Sequence, residues 1–147
     1  MNIFESLRRS HLTQRRLADQ LMETRPHSRE RETLFKQLKT ELAAHAGAEE
    51  RCFYVPLIAH DETQEPSRHG IAEHHEMDEL IEALQALEWA SPQWIAKAGE
   101  LHHKIMHHLK DEEEDIFQQA ALVLSEEEKE SLAKDYEEEF SAQREKV

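Results

Sequence analysis

The sequence predicts an all-α protein: an antiparallel, up-down four-helix bundle with an additional C-terminal helix. Three observations predict it. Glycine and proline are scarce, three and four among 147 residues, so little interrupts a helix. No β-branched run bounded by turn residues reads as a strand. Apolar residues instead recur at helical spacing over four long stretches, each ended by a break signal.

The first helix is expected from about residue 2 to 23, with Phe4, Leu7, His11, Ala18 and Leu21 on one face. Arg25-Pro26-His27-Ser28 breaks it, and Ser28 can cap the next helix. The second helix is expected over about 29–59, with a stripe of Leu34, Leu38, Leu42, His45, Glu49 and Cys52, and with Pro56 kinking its last turn. Residues 61–67 read as a polar linker holding Pro66. The third helix follows over about 67–87, with Ile71, His74, Met77, Ile81 and Leu84 on its stripe.

Ser91-Pro92 opens the fourth helix, serine as cap and proline at the first helical position. It runs to about 122, with Ile95, Leu101, Ile105, His108, Glu112 and Ile116 aligned. Ser125 followed by three glutamates is a capping box and starts a fifth helix, to about 143. Its narrow stripe of Leu132, Tyr136 and Phe140 is suited to packing across the bundle. The expected organisation is a bundle over 1–122 and a C-terminal helix, 123–147, packed on it.

Eighteen basic and 32 acidic residues give a formal net charge of −14, which repels nucleic acid and anionic membranes and favours cations. One cysteine, Cys52, permits no internal disulfide. The N-terminal residues lack the apolar stretch of a secretory signal, and no run has membrane-spanning length. A soluble, cytoplasmic protein without nucleic-acid or membrane partners is expected; the sequence names no protein partner.

Eleven histidines are the anomaly, and two of them head a repeat. His11, His45 and Glu49 recur 63 residues later as His74, His108 and Glu112. The same offset superposes Leu17 on Leu80, Leu21 on Leu84, Leu38 on Leu101, Leu42 on Ile105, Glu50 on Glu113 and Tyr54 on Phe117. Core positions and polar positions thus keep one register. A histidine and an acid four apart share a helix face, but in a chain this rich in both the pattern recurs by chance. A lone buried histidine is usually satisfied by a hydrogen bond, and a lone glutamate by a basic neighbour. Six such residues, in register on stripes that face the core, instead demand a shared partner, because an unpaired buried carboxylate is very costly. A metal pair supplies it. Imidazole and carboxylate donors suit iron, with manganese and zinc as competitors. Asp78, one turn after His74, is a further candidate ligand, but its repeat counterpart is Arg15. Met77, Leu42, Ile105 and Ile81 are expected to line an apolar pocket over the metals.

The stretches SHLTQRRLADQL, HAGAEERCFYVPL, EHHEMDELIEAL and HHLKDEEEDIFQ together resemble the hemerythrin-like, HHE cation-binding family. The resemblance spans roughly residues 1–122. It implies His11 and His45 on one iron, His74 and His108 on the other, Glu49 and Glu112 as bridging carboxylates, and an oxo or hydroxo bridge. Two departures stand out. Oxygen-carrying members have a histidine where this chain has Asp78, and a His-x-x-x-x-Asp where it has His108-x-x-x-Glu112. A more symmetric, less histidine-rich site follows, which points away from reversible oxygen carriage. The expected function is a non-haem di-iron protein binding oxygen or a related small oxidant, for sensing, storage or iron handling. The alternatives are an oxidoreductase that decomposes peroxide or nitric oxide at the same centre, and a structural zinc bundle acting as an interaction module. The sequence shows no obvious acid–base residue for turnover.

Overall fold

A computed structural model describes residues 1–146; Val147, the last residue of the segment expected to pack on the bundle, lies outside the described residues. Helix α1 spans Ile3–Met22. Its start is fixed by Asn2, which accepts from the Glu5 N–H at 3.0 Å while the Glu5 carboxylate accepts from the Asn2 N–H at 3.2 Å. Helix α2 spans Arg29–Glu49, capped by Ser28, whose hydroxyl accepts from the Arg31 N–H at 3.2 Å.

The expected second helix does not continue smoothly to residue 59. A π-helical turn over Glu50–Tyr54 follows α2, then a short α3 over Val55–Ile58. The wide turn, closed by Val55 N–H to Glu50 C=O, lies just ahead of Pro56, which has no N–H to give a regular ladder. A second π-turn, Glu112–Ile116, separates α5 (Pro92–Asp111) from α6 (Phe117–Val123). Both turns thus lie at the proposed carboxylates, and a regular period misses them.

Residues 61–67 are helix, not linker: α4 runs over Asp61–Gln85 with Pro66 inside it. Asp61 and Glu62 occupy the first turn, where the helix dipole favours acids. The Thr63 and Ser67 hydroxyls are buried and donate to the Leu57 and Thr63 carbonyls, both at 2.6 Å. Pro66 is the sixth residue of this helix, so the Glu62 carbonyl loses its ladder donor there. Ser91 caps α5 through Trp94 N–H at 3.1 Å. Ser125 and Glu128 form the expected capping box before α7, Glu126–Lys146.

Helices α1 and α2 pair, α4 and α5 pair, and α1 also packs on α5. The α7 helix lies along α1 and α2. Two apolar clusters form the core. One gathers Leu17, Leu21, Leu38, Ile81, Trp94, Leu101 and their neighbours; the other gathers Ile3, Leu7, Phe53, Leu57, Phe117 and Tyr136 with theirs. The layer between them is polar, and it holds the histidines. At the Trp94 end, buried Arg31 donates to the Trp89 and Thr24 carbonyls at 2.6 and 2.9 Å and stacks over Trp94. No described helix is long and apolar enough to cross a membrane.

Candidate metal centre

The repeat register brings all six residues to one layer. The His11 and His45 rings lie 5.3 Å apart, and the His74 and His108 rings 4.9 Å apart. Glu49 and Glu112 stand between the pairs. His11 Nε2 is 3.1 Å from Glu112 Oε1, and His74 Nε2 is 3.1 Å from Glu49 Oε1. His45 Nε2 and His108 Nε2 lie 3.4 and 3.5 Å from the glutamates one turn along their own helices. Each carboxylate therefore faces one histidine from each half of the chain. Two donor groups result: His11, His45, Glu49 and Glu112, and Glu49, His74 and His108. Asp78 belongs to neither and is exposed.

All six residues are at most 7% exposed. Yet all four Nε2 atoms, both Glu49 oxygens and Glu112 Oε1 have no hydrogen-bond partner among the described residues. Orphaned polar atoms are rare in cores. Seven of them converging on one place is the arrangement a cation would satisfy.

Each imidazole is oriented through its other nitrogen. His11 Nδ1 contacts Glu113 at 2.6 Å, His74 Nδ1 contacts Glu50 at 2.8 Å, and His108 Nδ1 contacts Glu73 at 2.8 Å. Carboxylates behind metal-binding histidines fix the tautomer, so that Nε2 is the free donor. With N–H at Nδ1, Nε2 presents its lone pair to the centre.

Residues 2–120 match the family model described as the Hemerythrin HHE cation binding domain. The chain belongs to the hemerythrin HHE cation-binding domain family. A hemerythrin HHE cation-binding-domain protein from Mycobacterium kansasii, known from a crystal structure, has the same fold, with a TM-score of 0.89 and 22% identity. The likeness covers 99% of this chain and 89% of that one. A curated relative from Nostoc sp., described as a DNA nickase, is 28% identical over 136 residues. These are 92% of this chain but 38% of the relative, so the chain spans well under half of that protein.

In this HHE domain the fourth histidine breaks the pattern. His45 Nδ1 meets the Tyr136 hydroxyl at 2.8 Å, and that hydroxyl meets Ser10 Oγ at 2.6 Å. The offset of 63 explains why: Ser10 is the counterpart of Glu73. Serine is too short to reach the imidazole, and the phenol from α7 fills the gap. If Nδ1 carries the proton, it donates to the Tyr136 oxygen, and the phenol donates on to Ser10. Burial pushes the Tyr136 phenol up, which keeps it neutral for that role.

Tyr54 breaks the symmetry a second time. Its repeat counterpart, Phe117, stacks on His11 at 5.9 Å. The Tyr54 hydroxyl instead donates to Glu112 Oε2 inside the centre. Burial pushes that phenol well above its ordinary value, and the charges of Glu112 and Glu49 push it further. The HHE pattern read from the sequence contained neither tyrosine as a functional residue. Tyr54 left a signal in the Tyr-for-Phe difference between the repeats; Tyr136 was marked only by its stripe.

Electrostatics separate the donors. Burial lowers the His11 and His74 imidazoles, but the facing carboxylates of Glu112 and Glu113 hold His11 at about 9. Those of Glu49 and Glu50 hold His74 at about 10. Burial takes His45 down to about 4. Burial and the neighbouring Glu49 charge raise Glu112 to about 7. Burial opposes ionisation of Glu49, but His45 and its other partners hold it well below the usual carboxylate range.

A cavity of about 280 Å³ reaches the layer beside His45, His74 and His108. Leu42, Met77 and Ile81 line it as expected; Ile105 is fully buried in the core instead. Gln14 also lines it, buried, with its side-chain Nε2 unpartnered. The exposed His75 and Asp78 stand among its lining residues.

Proposed function

We propose that the protein is a non-haem di-iron protein that binds oxygen or a related small oxidant at a centre of four histidines and two glutamates. The observation that supports it is the buried set of seven unpartnered donor atoms. Without a cation such a layer costs several kcal/mol per group. Mixed imidazole and carboxylate donors suit iron, with manganese and zinc as competitors. His11 and His45 would hold one ion and His74 and His108 the other, with Glu49 and Glu112 between them. Bound iron would supply redox chemistry and open positions for a small ligand.

The chain's own residues fit that use. The cavity sets Leu42, Met77 and Ile81 against the inner histidines and opens past the exposed Lys39, His75 and Asp78, which gives a small ligand a way in. The Gln14 amide, a buried donor without a partner, is placed to hydrogen-bond a bound oxidant. A purely structural zinc bundle requires neither the cavity nor that amide. One observation favours the oxidoreductase reading over sensing or storage: the Tyr54 hydroxyl reaches the centre at Glu112 as a hydrogen-bond donor, and its raised pKa makes it a positioning group rather than an acid. The nickase activity of the Nostoc relative is not part of the proposal, since a net charge of −14 repels the phosphate backbone.

Metal analysis with the visible spectrum under oxygen tests this. Two irons per chain with charge-transfer bands of a bridged pair are expected. A colourless protein that purifies with zinc and folds without iron would overturn the reading. Peroxide or nitric oxide consumption by the iron-loaded protein, weakened in Tyr54→Phe, would assign the oxidoreductase role.

A further inference from the structure

The inner layer is approached from two sides. The first is the cavity beside Gln14. The second, of about 410 Å³, lies between α4 and the stretch formed by α5 and the second π-turn, and it differs in chemistry. Glu65, Glu73, Asp111 and Asp115 line it, and no lysine or arginine does among the described residues. His108 and Glu112 form its buried wall. Glu73 and Asp111 of this lining and the exposed His107 each offer one donor atom, all within 4.8 Å of one another. His107 Nε2 is 3.1 Å from Asp111 Oδ2, and His69 Nε2 is 3.6 Å from Glu73 Oε2.

An acidic rim is ordinary on a chain of this charge. Two further observations set this one apart. The Glu73 side chain is 6% exposed. Its Oε1 is bound to His108 Nδ1 at 2.8 Å, while Oε2 faces His69 and the rim. One buried carboxylate therefore touches both an inner histidine and the outer cluster. In addition, His108 and Glu112, which line the same cavity, turn the buried and unpartnered Nε2 and Oε1 toward the inner layer behind it.

We propose that Glu73, His107 and Asp111 form an outer site for a divalent first-row cation, and that this cavity is the route by which cations reach the inner centre. The proposal rests on the two-metal reading of that centre. Imidazole and carboxylate donors match such an ion. A hydrated cation is drawn by the unbalanced carboxylates, exchanges part of its water for rim donors, and then meets the unpartnered atoms behind Glu73. His107 is exposed and Asp111 half-buried, 55% and 41%, so the outer site is the weaker and exchanges readily.

The test uses full-length metal-free protein, with Mn²⁺ binding followed by its resonance signal and anaerobic Fe²⁺ uptake by stopped flow. Wild type is expected to hold a weak third Mn²⁺ beside a tight pair. The double variant His107→Ala/Asp111→Asn should keep the pair, lose the third ion and load iron about ten-fold or more slowly, in line with loss of electrostatic focusing. A charge-matched control, His102→Ala/Asp19→Asn, removes a remote exposed pair 2.8 Å apart and should load at the wild-type rate. Saturation of wild type at two ions would overturn the proposal, as would loading of the His107/Asp111 variant within about twofold of wild type, well inside the range steering controls. A single weak ion, lost in that variant, with no tight pair would overturn the inner-centre reading and the uptake route with it.

Discussion

Tyr136→Phe removes one oxygen and leaves the ring. The ring is 1% exposed and packs against His45 and Phe140, so its apolar contacts persist. What disappears is the hydroxyl that joins His45 Nδ1 at 2.8 Å to Ser10 Oγ at 2.6 Å. Both partners stay buried. A buried polar group left unpaired costs about 1–3 kcal/mol. Thermal midpoints of chains this size move roughly 2–4 °C per kcal/mol, so a fall of several degrees is expected. The larger effect is on metal. Loss of the group that orients a metal-binding histidine typically lowers affinity about 10–100-fold. It should fall on the cation held by His11, His45, Glu49 and Glu112, and spare the one at His74 and His108. Competition with a chromogenic chelator, resolved into two binding steps, measures this. Two steps both within about twofold of wild type would refute the assignment of Tyr136 as the group that orients His45, given the larger loss expected.

Replacing both His45 and His108 with alanine should abolish binding of the ion pair while α-helical circular dichroism persists; retention of two irons would sink the ligand assignment. Metal-free protein should be most stable on the acid side of neutrality, between about pH 4.5 and 6.5, where the opposing shifts of His45 and Glu112 offset each other. His11 and His74 are raised from 6.5 to about 9 and 10, so their contribution is full below 6.5 and is lost as pH rises through those values. Glu113 is lowered from 4.5 to about 2, chiefly by His11 and Arg15 acting against burial, so its contribution is present above 4.5 and lost as pH falls toward 2. His45 adds to the acid side, since its drop to about 4 makes the unfolded chain bind the proton first. Denaturant midpoints across pH check this. Because bound imidazoles must be neutral at Nε2, metal loading at pH 7.5 should release about two to three protons, from His11, His74 and partly Glu112, and an indicator titration counts them. Gly70→Ala would place a Cβ 2.5 Å from Tyr54 Cζ. The phenol must move, at a cost of about 1–3 kcal/mol, and the Glu112 contact should be lost, shifting the visible bands of the iron-loaded protein.

That six residues would gather in the candidate centre was legible from helical period and the repeat. Helical spacing put His45 and Glu49, and His108 and Glu112, on core-facing stripes. The 63-residue register put His11 and His74 in the same layer. These are local facts: a side chain's face follows from its position along one helix, and a repeat copies it. Serine caps at 28, 91 and 125 were legible for the same reason. The polar stretch 61–67 misled, because composition does not reveal that Thr63 and Ser67 are buried, with hydroxyls that find carbonyls of α3 and of their own helix.

What tertiary structure alone decided is which group stands behind each imidazole. Glu113 reaches His11 from 102 residues away, and Tyr136 reaches His45 from 91. No period links such positions. They meet because helix packing sets distances of a few ångströms that depend on the whole bundle, including a seventh helix whose sequence showed only a narrow apolar stripe. The π-turns and the Tyr54–Glu112 contact belong to the same category. Periodicity sets a side chain's direction along its own helix; the approach of one helix to another selects the partner.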